Sequence, residues 1–182
     1  IFASAGYPEK EREKNNQVIF EKVSNGSEEF VFTKTENGCN VLRKSEIIGI
    51  KATDPTGKIL KEVVYKNINK DTVELNRLRR PAKVHKVVNL SDAELIEAGK
   101  QILVEELGLS KKQVEDLFDT KNSKIERENR YVTQSESFNG MTSQRDVVQY
   151  IVTTKKPVAD NLRFIIDDKK GYHFEWAFVK EN

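Results

Sequence analysis

The sequence predicts an α+β fold, with an antiparallel β-meander followed by two helices packed on a four-stranded antiparallel sheet. Three observations carry this. Residues 89–118 are the only long helical stretch and have β-type sequence on both sides. Asn-Gly pairs, the strongest short-range hairpin signal, stand at Asn25-Gly26, Asn37-Gly38 and Asn139-Gly140. The closing segment YHFEWAFV sets His173, Glu175, Ala177 and Val179 against Phe174, Trp176 and Phe178, an alternation that makes the aromatic side the core side.

The helical stretch has two start signals and a stop. Ser91 followed by Glu94 is a capping box, and Leu90 with Leu95 offers a hydrophobic staple. Leu95, Ile96, Gly99, Ile102, Leu103 and Leu107 then form one stripe on a 3.6-residue period, as expected of a helix lying on a sheet. Gly108 suits the left-handed residue that ends such a helix. Ser110 and Gln113 repeat the box, with Val114, Leu117 and Phe118 as the next apolar face.

Residues 1–16 are charged around YPEKEREKNN and read as a flexible leader. Residues 17–76 read as a β-rich subdomain. Its first strand is QVIFEKV at 17–23, and its Asp54-Pro55-Thr56-Gly57 turn has proline presetting φ and glycine taking positive φ. Residues 77–88, RLRRPAKVHKVV, hold Pro81 and read as a basic linker or an edge strand. Residues 89–182 form the α+β subdomain. Its later strands are DVVQYIVTT and a hairpin of LRFIID and YHFEWAFV.

LSDAELIEAGKQIL and GLSKKQVED, with VQYIV and LRFIIDDKKG further on, resemble the PepSY-type arrangement on a cystatin-like fold over about half of the chain. A nuclear-transport-factor-2-like cone fits the same order of elements. The stretch 119–145 is longer than the PepSY-type pattern allows, and Asp168-Lys169-Lys170-Gly171 lacks the threonine of its closing turn.

Composition bounds the function. Hydrophobic residues are 37% and charged residues 33%, and 31 basic against 29 acidic residues leave a net charge of +2. Electrostatic recognition must therefore be local. The single cysteine, Cys39, excludes an intrachain disulfide and a thiolate-rich zinc site, and it follows a tight turn, a poor setting for an oriented nucleophile. No nucleophile elbow, HExxH or phosphate loop is present, and no cofactor is expected.

Two candidate sites remain. Arg77, Arg79, Arg80, Lys83, His85 and Lys86 form the one dense basic patch, suited to an acidic protein, an anionic cell-surface polymer or nucleic acid. His173 and Glu175, two apart on a strand, share a face and could ligate one metal ion if Asp167, Asp168 or His85 supplied a third group. The chain opens IFASAG, and Ala3-Ser4-Ala5 matches a secretory cleavage pattern. The expectation is a non-catalytic exported or cell-envelope binding and assembly module acting through protein or wall-polymer contacts. The alternatives are a nucleic-acid-binding protein using residues 77–86 and a small metal-dependent hydrolase.

Overall fold

The computed structural model of the protein describes residues 12–26, 29–36, 38–79, 81–85, 90–128, 131–134 and 142–181. Among these it is α+β, with three α-helices and ten strands in a mostly antiparallel sheet. The chain gathers into two compact units, each drawing on interleaved stretches.

The smaller unit holds α1 (Arg12–Ser24), β1 (Glu29–Thr35), β2 (Gly38–Thr53) as far as Ile47, β7 (Tyr131–Gln134) and β8 (Thr142–Thr153) as far as Val148. β1 pairs antiparallel with β2 from Glu29 opposite Lys44 to Thr35 opposite Gly38, while Asn37 lies outside the described residues. β7 pairs antiparallel with β8, while Asn139-Gly140 lies outside the described residues.

Helix α1 corrects two expectations. QVIFEKV is helical rather than a strand, and the helix begins at Arg12, inside the stretch read as leader; residues 1–11 lie outside the described residues. The β-branched run is short. Its flanks and interior supply Arg, Glu, Lys and Gln, good helix formers over a window of this length, and Gln17 reaches Glu21 one turn on at 3.4 Å. Asn25-Gly26 ends this helix rather than turning a hairpin. The Asn25 N–H donates to the Glu21 carbonyl, and Gly26 sits at φ 72°.

The larger unit holds the rest of β2 and β8 together with β3 (Ile59–Asn67), β4 (Thr72–Arg79), α2 (Asp92–Leu107), α3 (Lys111–Leu117), β9 (Phe164–Asp168) and β10 (Tyr172–Val179). With β6 (Lys124–Arg127), its strands lie in the order β6–β8–β2–β3–β10–β9, and β4 flanks β3. Gln149 lies over Gly49, and the Thr153 hydroxyl is 3.2 Å from that of Thr53. The offset between the two strands is constant, so β2 and β8 run parallel. This departs from the all-antiparallel expectation.

Both helices start as their caps predict. The Ser91 N–H donates to Glu94 Oε2 at 2.8 Å and the Glu94 N–H to Ser91 Oγ at 3.4 Å; Ser110 and Gln113 repeat the exchange. The stripe of α2 is buried at Leu95, Gly99, Ile102, Leu103 and Leu107. It faces the sheet, since a Cβ at Gly99 would come within 2.5 Å of the Tyr150 ring and one at Gly108 within 2.5 Å of Ile166. Trp176, Tyr150, Phe118, Leu60 and Val152 fill the interior, and Phe118 packs on Phe178 with ring centres 6.4 Å apart. On β10 Trp176 and Phe178 of the aromatic side are buried, but so is Ala177 on the other side, and Phe174 is half-buried, so burial there does not follow the alternation.

Candidate functional site

The hairpin of β9 and β10 builds the first site. Its turn closes where Lys170 N–H donates to Asp168 Oδ1 at 2.6 Å and Gly171 takes φ 83°. That turn fixes the register, so His173 stands opposite Asp167 on one side and Lys66 of β3 on the other. His173 Nδ1 is 2.7 Å from Asp167 Oδ1, and Nε2 is 3.1 Å from Glu175 Oε1. The hydrogen bond to Asp167, then that to Glu175, raises the imidazole above its ordinary pKa, against partial burial and the nearby Lys66 charge. A ring donating from both nitrogens is an imidazolium. In that form it offers no lone pair, and in any form an ion at Nε2 would first have to displace Glu175. Among the described residues no three His, Cys, Asp or Glu side chains are grouped to hold a metal ion.

Directly paired residues share a face of a sheet. Val73, Lys66, His173 and Asp167 therefore form one row across β4–β3–β10–β9, and Leu75, Val64, Glu175 and Ile165 form the next. This is the face turned away from α2. Val73 is 56% exposed, Leu75 67% and Ile165 56%. The rows carry apolar side chains toward the two edges and an internally paired ionic group between them.

The basic stretch enters this sheet. Arg77 and Arg79 lie in β4, Arg79 opposite Glu62. Lys83 and His85 lie in β5 (Ala82–His85), which pairs with β2, while Arg80 and Lys86 lie outside the described residues. Strand structure thus runs through much of what reads as a linker. Pro81 lacks an N–H, but its carbonyl accepts from Ile50 N–H at 2.7 Å, so its missing donor breaks no ladder there. Cys39 lies in β2 opposite Lys34.

Sequence reasoning read Asp54 only as a turn residue, yet it organises a second place. Its side chain is fully buried. Oδ1 accepts from Thr56 N–H at 2.9 Å, Thr56 Oγ1 at 2.7 Å and Lys58 N–H at 3.0 Å; Oδ2 accepts from Val158 N–H at 3.1 Å. Burial alone would raise this carboxyl, but those donors outweigh it and hold the pKa at about 2. The Thr56 bonds follow from the Asp-Pro-Thr-Gly turn; the bond to Val158, more than a hundred residues on, has no local signal.

Neither the protein-family models nor the curated proteins contain a match to this chain. No helix of the described residues is long and apolar enough to cross a membrane.

Proposed function

We propose that this is a non-catalytic binding and assembly module that works outside the cytoplasm and takes a protein or an anionic cell-surface polymer as partner. Its working surface is the outer face of β4–β3–β10–β9, and the basic stretch follows on from β4. The observation that carries this is the exposure of Val73, Leu75 and Ile165 around an ionic group that is already paired. Val73 and Leu75 adjoin on β4 and Ile165 stands across the face on β9; adjoining exposed apolar side chains mark contact sites. Charges already paired with one another cost less to cover than lone ones, so the partner meets the smaller of the two desolvation penalties. The imidazole, engaged at both nitrogens, supports binding over acid–base or metal chemistry. The same reading takes α2 laid over β8 and β9 as the cystatin-like arrangement.

The test is kinetic. Against the partner recovered from envelope fractions, Leu75→Glu should abolish stable binding, because it sets a charge into the apolar part of the contact. Replacing Arg77, Arg79 and Arg80 by alanine should instead slow association and flatten its salt dependence, since clustered charge steers encounter. Undiminished binding by Leu75→Glu removes this face from the site. Retention on nucleic acid with a steep salt dependence would favour the nucleic-acid alternative. Recovery of the native protein in the cytoplasmic fraction removes the exported location.

A further inference from the structure

We propose that the groove between the end of α3 and the loop at 154–163 is a separate binding site, and that it takes a short acidic peptide bearing one large apolar side chain.

The groove encloses about 310 Å³, at the lower end of ordinary ligand pockets, about 300–1,000 Å³. Leu117, Pro157, Val158, Ala159 and Leu162 make its apolar floor and wall. Only Val158 of these is fully buried, and Leu162 remains 38% exposed. Such a space admits one side chain of leucine or phenylalanine size together with its flanking backbone.

The loop that forms one wall is held at many points. Thr154 N–H donates to Thr53 O at 2.8 Å, Thr154 Oγ1 to Lys156 O at 2.7 Å and Lys155 N–H to Leu117 O at 2.9 Å. The buried Asp54 carboxylate takes Val158 N–H, and Lys58 Nζ donates to Val158 O at 2.7 Å. Arg163 Nη1 closes the far end on Asp160 O at 2.8 Å. A wall fixed in this way needs no ordering when a ligand arrives, which removes one of the main costs of association.

Charge chooses the partner. Asp160 shares Lys58, at 2.7 Å, with the buried Asp54, at 3.8 Å. Lys155 Nζ caps the Glu115 carbonyl at 2.5 Å, and Lys156 is exposed on the rim. Among the lining residues Lys155 and Lys156 face one carboxylate, Asp116. An anionic peptide is drawn in and a cationic one repelled.

Fluorescence anisotropy with labelled hexapeptides tests this on the whole protein. Three probes suffice: a leucine flanked by glutamates, the same with lysines, and the glutamate peptide with alanine for leucine. Saturable binding of the first is expected, with at least tenfold weaker binding of the other two. Leu162→Asp should abolish binding. Lys156→Glu, a surface change, should weaken the glutamate probe and strengthen the lysine probe. Leu75→Glu, on the outer sheet face, should leave all three affinities unchanged. Absence of saturable binding, or equal binding by Leu162→Asp, overturns the proposal. So does loss of peptide binding in Leu75→Glu, which would make the groove part of the other surface. The proposed function above stands or falls by its own partner, whichever way these probes behave.

Discussion

The Asp54 corner and the His173 row both set an aspartate against a cation, in opposite surroundings. Asp54 is fully buried, accepts from four donors and has Lys58 Nζ 3.8 Å away. Asp167, whose side chain is 75% exposed, makes one short contact to an imidazole. In the first case the carboxylate has given up water and needs every donor the fold supplies, so geometry is fixed around it. In the second, water competes with each contact, and the group responds to the medium rather than defining the backbone. A buried carboxylate organises structure, whereas an exposed one tunes a surface.

The largest expected effect falls on the buried member. Asp54→Ala should cost roughly 3–5 kcal/mol in urea unfolding, since it strips the partners from several backbone N–H groups at once. A cost below about 1 kcal/mol, within the range of one ordinary hydrogen bond, would erase the contrast. Leu103→Ala, wholly buried in the α2 stripe, calibrates the scale at roughly 2–5 kcal/mol. Gly99→Ala comes next. An alanine normally gains about 1 kcal/mol over glycine within a helix. Here the new methyl group would overlap the Tyr150 ring, which is itself fully buried. Overpacking of roughly 1–3 kcal/mol should win; a rise in melting temperature would show that Tyr150 gives way freely.

The smallest effects are in pH and carry opposite signs. Asp54 lies at about 2 against an ordinary 3.8, so its stabilisation is present above the ordinary value and lost as pH falls through about 2. Asp54→Asn should flatten that acid limb. His173 is raised above 6.5, so its stabilisation is full below that value and lost as pH rises through the folded one. Wild type should therefore lose a little more stability than His173→Gln on going from about pH 6 to pH 9, roughly 0.5 kcal/mol given the exposure of its partner. Identical alkaline limbs would mean that the row contributes nothing to the fold.

Local signals explain what was legible. The two capping boxes, the α2 stripe and the glycine stop each act within a few residues, and both helices form as written. The aromatic alternation of β10 picked out Trp176 and Phe178 for the same reason, but not the buried Ala177 between them. What failed or stayed hidden depends on partners far away in sequence. QVIFEKV reads as a strand on its own residues, but its charged flanks favour a helix. His173 and Glu175 were visible as a pair, yet only strand register brings Asp167 to Nδ1 and Lys66 alongside. The basic stretch was visible as charge; that it begins on a strand beside Val73 and Leu75 was not. The wall of the groove hangs on Val158 meeting Asp54, which no spacing predicts.

The parallel pairing of β2 with β8 has a consequence for synthesis. Gly49 and Thr53 meet partners a hundred residues later. At roughly 5–20 residues per second, the edge of β2 waits on the order of 5–20 s on the ribosome for its neighbour. Pairings of such long range also fold slowly once the chain is complete. Through that interval the nascent β2 edge is open to pairing with other chains. This protein should therefore depend more on holding chaperones during translation than its short hairpins suggest.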